Sequence, residues 1–168
     1  MIRDATPNDT PAIAALIRAL AEYERLAHEV ALDEGDLRAH LFGERRYAEV
    51  VVAEDAGEVI GFALFFHNFS TFLAKPGLYL EDLFVLPAHR GRGHGKALLA
   101  RLAGIAVERG CGRLEWSVLD WNEPSIQFYL ALGAQPMDEW TTYRLTGGAL
   151  HALASTKLPF PSREGAGG

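Results

Sequence analysis

The segment that most restricts this chain is an apolar run, a proline and a glycine-rich turn placed directly before an amphipathic stretch. Leu78-Tyr79-Leu80-Glu81-Asp82-Leu83-Phe84-Val85-Leu86 reads as a central strand that Pro87 terminates. His89-Arg90-Gly91-Arg92-Gly93-His94-Gly95-Lys96 follows, and from Gly95 onward Leu98, Leu99, Leu102, Ile105 and Ala106 repeat at helical spacing until Gly110. A strand, a turn without Cβ atoms and a helix start form an anion cradle, because backbone N–H groups converge there on the positive end of the helix dipole. The blander reading of the same residues is a glycine turn with a solvated basic rim. Among phosphate loops, spacing decides. A Walker A loop needs four residues between its glycines and a hydroxyl after the lysine, whereas Gly91 to Gly95 is one residue short and Ala97 follows Lys96. A Rossmann turn needs G-x-G-x-x-G, and the glycines here are Gly91, Gly93 and Gly95.

Around this unit the chain reads as β-α-α-β-β-β-α-β-α-β, a mixed α/β sheet in which hairpins precede a strand–helix–strand crossover. Thr6 is the expected N-cap of a first helix carrying Ile13, Leu16, Ile17 and Leu20. Asp33 and Asp36 open a second helix that Gly43 ends. Tyr47 to Ala53 and Val59 to Phe66 are strands of a hairpin, and Asn68 to Gly77 is expected to be a loop. Arg113 to Leu119 reads as a further strand, Asn122 caps a short helix that Gly133 closes, and Ala134 to Leu145 suggests a last hairpin. Residues 1–154 form one expected domain and 155–168 a loose tail.

Charge and composition narrow the partners. Lysine plus arginine number 16 against 22 acids, a formal charge of -6, which disfavours a nucleic-acid partner. Cys111 is the single cysteine, so no intrachain disulfide forms, and a reducing, cytoplasmic setting is expected. No run approaches the roughly 20 apolar residues of a membrane span, and the start of the chain lacks a signal-peptide layout. The six histidines show no metal-ligand spacing, so no metal is expected.

Arg90-Gly91-Arg92-Gly93-His94-Gly95 fits [QR]-x-x-G-x-[GA], and with the strand before it and the helix after it the chain resembles the GCN5-related N-acetyltransferases. Tyr79-Leu80-Glu81-Asp82-Leu83 and Trp121-Asn122-Glu123-Pro124-Ser125 make it most similar to the spermidine/spermine and thialysine acetyltransferase branch. The resemblance implies a mostly antiparallel sheet flanked by helices, with acetyl-CoA as cosubstrate. The backbone of Leu83, Phe84 and Val85 would then pair with the pantetheine arm, Arg90, Gly91, Arg92, Gly93, His94, Gly95 and Lys96 would surround the pyrophosphate, and Asn122, Glu123, Pro124 and Ser125 would border the thiol side. It further implies Glu81 as the start of the amine's proton path, Tyr129 as proton donor to the thiolate, Tyr23 and Glu24 with Glu81 as acceptor contacts, and a homodimer.

From the residues alone, Glu81 is a carboxylate inside an apolar strand, Asp82 is expected on the opposite face by alternation, bridging elements, and Tyr129 also reads as a core aromatic. Where the polyamine enzymes carry an aspartate and a tryptophan before the central strand, this chain has Thr71 and Leu73, which favours an amino-acid-like or short amine over spermidine. The function expected is direct acetyl transfer to a small primary amine. A non-catalytic acyl-CoA-binding module and a protein or peptide N-acetyltransferase are the alternatives.

Overall fold

The computed structural model describes residues 1–157. The chain divides into two compact units, the first running from Met1 to Glu123 and the second beginning at Pro124. In the first unit, β1 (Ile2–Asp4), β2 (Glu49–Asp55), β3 (Glu58–Ser70), β4 (Lys75–Val85) and β5 (Leu114–Trp116) form one sheet in the order β1-β2-β3-β4-β5. The first four are antiparallel neighbours, and β5 pairs parallel to β4. The helices of this unit are α1 (Thr10–Tyr23), α2 (Glu34–Phe42) and α3 (His94–Glu108). α4 (Glu123–Ala131) starts at the boundary, and the second unit also holds α5 (Gly147–Ala154).

Strand alternation sorts the sheet side chains into two layers. Val50, Val52, Phe62 and Phe84 pack against Ile13, Leu16 and Leu20 of α1 and Leu41 of α2. The intervening residues Val51, Ala53, Ala63 and Phe65 are closed to solvent on the other face, where α3 supplies Leu98, Leu102 and Ile105. Each fully buried large apolar side chain contributes roughly 1.5–3 kcal/mol, so these two layers hold the sheet in place. Arg3 anchors the edge strand: its guanidinium reaches both oxygens of Asp9 at 2.8 and 3.0 Å and Glu54 at 2.8 Å. This pairing holds the Asp9 carboxyl below its usual range, with burial opposing.

Several boundaries differ from the sequence reading. Thr6 caps a 3-10 turn at Pro7–Asp9, with its backbone N–H donating to Asp9 Oδ2 at 2.7 Å, and α1 proper begins at Thr10. Asp33 does cap α2, accepting from the Asp36 N–H at 2.9 Å. The expected loop from Asn68 to Gly77 is mostly strand, because β3 and β4 continue their ladder to Ser70↔Lys75 and leave a tight turn between. The strand expected over Arg113–Leu119 shortens to Leu114–Trp116, the residues in parallel register with Leu78, Tyr79 and Leu80 of β4. The hairpin expected over Ala134–Leu145 is not formed in the described residues. Pro136 and the adjacent Asp138-Glu139 pair interrupt the apolar pattern there, and an isolated hairpin has little stability of its own. The tail assigned to 155–168 lies, from residue 158 onward, outside the described residues.

Candidate active site

The decisive local event occurs in β4. Leu64 faces Asp82, but the next residue of β3, Phe65, faces Leu80, which leaves Glu81 as an extra residue without an opposite number. This β-bulge resets the alternation that the sequence pattern implies. Asp82 therefore joins Phe84 on the α1/α2 face, while Leu80 lies with Phe65 on the α3 face. Glu81 is exposed and Asp82 is partly buried. Burial first, then the Glu81 and Glu24 charges, push the Asp82 carboxyl up to about 6. Burial also raises Glu24, the residue just after α1. Three carboxylates thus share one field. Simple alternation keeps Asp82 out of this group, and the bulge, invisible in the sequence, brings it in.

The bulge also switches which backbone groups face the β5 side. Before it, Leu78 N donates to Arg113 O at 3.0 Å. Beyond it, Leu86 N donates to Ile60 O at 2.9 Å, which fixes the phase of the antiparallel ladder and makes Phe62 and Phe84 a hydrogen-bonded pair. Leu83 and Val85 consequently turn their N–H and C=O groups to the far edge, where β5 has already ended at Trp116. Of the three residues expected to meet a pantetheine arm, Leu83 and Val85 offer backbone groups to that edge; Phe84 uses its own on β3 and its ring in the core.

The glycine turn lies just past this edge. Gly91 and Gly93 adopt φ of +75° and +85°, a region costly for residues with a Cβ, and Gly93 caps α3. Among the described residues, chain neighbours and the helix's own backbone aside, nothing lies within 4 Å of where a Cβ would stand at Gly91, Gly93 or Gly95. The turn is therefore an open concavity at the N-terminus of a 15-residue helix, ringed by Arg92, His94 and Lys96, and it fits a diphosphate. Asp55, at the end of β2, tempers the charge of this rim: its Oδ2 lies 3.3 Å from His89 Nδ1 and 3.7 Å from Arg92. Arg90 makes a second set of contacts. Its Nε donates to Val85 O at 2.8 Å, and its guanidinium lies 4.8 Å from the Tyr23 ring centre and 5.1 Å from that of Phe84.

Tyr23 in turn contacts Trp121, with ring centres 6.3 Å apart, and its hydroxyl donates to Asn122 Oδ1 at 3.3 Å. Asn122 is buried. The structure thus brings Tyr23, Glu24, Glu81, Asp82, Arg90 and Asn122 into one region. Glu123, Pro124 and Ser125 open α4, and Tyr129 lies within it, partly buried with Phe128 beside it. Thr71 and Leu73 stand at the exposed tip of the β3–β4 turn. Lys75 lies six residue steps along the strand from Glu81, roughly 20 Å, so neither touches this carboxylate cluster in the same chain.

Residues 13–134 match the acetyltransferase (GNAT) family profile. The chain belongs to the GNAT acetyltransferase family. Its relatives include a thialysine N-epsilon-acetyltransferase of Bos taurus, 40% identical over 165 residues that cover 92% of this chain and 96% of the relative. Another is the L-ornithine N5-acetyltransferase NATA1 of Arabidopsis thaliana, 37% identical over 90% of this chain and 86% of that protein. Among solved structures, an integron cassette protein from the mobile metagenome of V. cholerae matches with a TM-score of 0.77 at 29% identity, covering 93% of this chain and 98% of that one. This GNAT chain is an N-acetyltransferase on a mixed α/β fold.

Two outcomes test the geometry. Gly95 has open space and an ordinary φ, so Gly95→Val should keep the melting temperature while weakening acetyl-CoA binding at least tenfold by calorimetry; undiminished affinity would remove the turn from the cofactor site. For Asp82, a folded pKa of about 6 against an ordinary 3.8 means that between these values the folded chain keeps a proton the unfolded chain has lost, so stability falls as pH rises through that window. In urea titrations Asp82→Asn should match wild type near about pH 4 and exceed it by up to about 3 kcal/mol near neutrality. A difference independent of pH would contradict the assigned burial.

Proposed function

We propose that this protein transfers an acetyl group from acetyl-CoA directly to the primary amine of a small amino-acid-like or diamine acceptor, without a covalent acyl-enzyme. The observation that carries this reading is the bulge at Glu81, which puts an open β4 edge leading to the glycine cradle beside a cluster of carboxylates. The activities for which the bovine and Arabidopsis relatives are named, on thialysine and L-ornithine, support the acceptor class. The working unit of the proposal is a cytoplasmic homodimer in which residues 1–154 make one catalytic domain.

Bound acetyl-CoA supplies an activated acetyl thioester. Leu83, by its outward backbone groups, and Val85, by its N–H, would hold the amide arm, and the N–H groups of residues 91–96 would hold the diphosphate, with Arg92 and Lys96 adding charge. Arg90 acts one step back, bracing Val85 and the end of α1. The amine arrives as an ammonium of pKa near about 10.4, and at neutral pH only about one molecule in a thousand is a nucleophile, a deficit of roughly 4 kcal/mol. Glu81, exposed at the bulge, takes the proton through water. Asp82 behind it, held near about 6, sits closer to the working pH than an ordinary carboxylate and shares that load. The freed amine would bond to the acetyl carbon, the carbon–sulfur bond would break, Tyr129 would give its hydroxyl proton to the departing sulfur, and the second proton shed by the new amide nitrogen would return through water to the Tyr129 oxygen. A phenol hydroxyl carries a proton that it can donate.

Thiol release from acetyl-CoA in the presence of ornithine, lysine-like amines and diamines is the direct assay. Glu81→Gln should lower kcat/KM at neutral pH by about ten- to a hundredfold and recover partly at alkaline pH, where neutral amine is plentiful; a loss equal at every pH would mean a positioning role. Tyr129→Phe should lower kcat by about a hundredfold at unchanged acetyl-CoA affinity. Wild-type turnover in that variant would leave Tyr129 as a packing residue.

A further inference from the structure

The end of α1 is closed in an unusual way. Leu26 N donates to Ala21 O at 2.8 Å and Arg25 N to Glu22 O at 3.0 Å, the paired bonds of a Schellman closure, and Arg25 takes the left-handed position at φ 62°. Helices ordinarily put glycine there, because a Cβ in this conformation costs roughly 1–2 kcal/mol. The chain instead carries an arginine. Its guanidinium lies 4.7 Å from the centre of the Trp121 ring, which is 46% exposed. Trp121 rests on Tyr23, and Tyr23 on Phe84 at 6.4 Å, so the stack is tied to the core.

A guanidinium held over an aromatic ring still has N–H groups along its edge, and that planar fork matches a carboxylate with two parallel hydrogen bonds. Immediately before it in the chain stands Glu24, whose charge reaches Asp82 at the bulge beside Glu81. One helix end therefore presents a guanidinium next to a cluster of carboxylates. Polyamines carry cations alone and gain nothing from an arginine. An amino acid with a terminal side-chain amine carries both complementary groups.

We propose that Arg25, held on Trp121, binds the α-carboxylate of an amino-acid acceptor whose side-chain amine lies among Glu24, Glu81 and Asp82. This assignment rests on the small-amine acetyl transfer proposed above. It makes Arg25 a specificity determinant, and the left-handed strain at its backbone the cost of placing the cation there.

Ornithine and putrescine isolate the claim, because they share the same amine-bearing chain and differ by the carboxylate. Steady-state acetylation of both should be measured with wild type, R25Q and R25G, alongside thermal melting. Wild type should favour ornithine in kcat/KM by about tenfold or more. R25Q should lower kcat/KM for ornithine about tenfold, mainly through KM, and leave putrescine within about twofold of wild type. R25G should show the same selective loss with an equal or higher melting temperature, since glycine relaxes the left-handed position. Equal proportional losses on both amines, an intact ornithine preference in R25Q, or a wild-type preference for putrescine would each overturn the role of Arg25 while leaving amine acetylation standing. No turnover of either amine by wild type would overturn the proposed function beneath it.

Discussion

One extra residue in β4 governs the rest of the site. Had Leu80 and Asp82 kept an unbroken ladder with β3, Asp82 would lie on the α3 face among apolar side chains, and the backbone of Leu83 and Val85 would be spent on β3. The bulge at Glu81 reverses both outcomes. It aims one carboxylate at the end of α1, leaves another at the surface and frees the outer edge of β4 just where β5 stops. The acceptor chemistry and the cofactor edge are two consequences of a single change of register.

The two sides are joined by Arg90. Its Nε fastens to Val85 O, on the open edge, while its guanidinium lies on Tyr23, which reaches Trp121 and Asn122. An arginine near a glycine cradle invites reading as a phosphate ligand. Here its Nε bond and ring contacts also tie the edge to the helix end. Arg92 and Lys96 remain as the cations of the turn, with Asp55 drawing on the first of them. This division suits a protein of net charge -6, in which positive potential is needed only locally.

What the sequence disclosed and withheld follows from how local each signal is. The Gly91-x-Gly93-x-Gly95 turn, the α3 stripe from Leu98 to Ile105 and the Asp33 cap are set by neighbours in the chain, and the structure has them as read. The bulge is not local: Leu80-Glu81-Asp82-Leu83 looks the same whether or not a residue is skipped, because the skip depends on the β3 register. Strand length across Asn68–Gly77 likewise depends on the partner strand and not on composition. Arg25 is hidden for the opposite reason, since an arginine where glycine is customary gives no helix-stop signal. The role given to Tyr129 comes from resemblance, as its position in α4 by itself says only that an aromatic is partly buried.

The central claim is that Leu83 and Val85 turn backbone N–H groups to an edge of β4 that β5 does not cover and that the cofactor completes. Residue-resolved amide hydrogen exchange, with and without acetyl-CoA, measures this directly. The Phe84 amide, bonded within the β3–β4 ladder, should be protected in both states, whereas Leu83 and Val85 should exchange readily in the free protein and slow by about tenfold or more at saturating acetyl-CoA. Leu83 and Val85 amides already as protected as Phe84 in the free protein, or unchanged by the cofactor, would contradict the account.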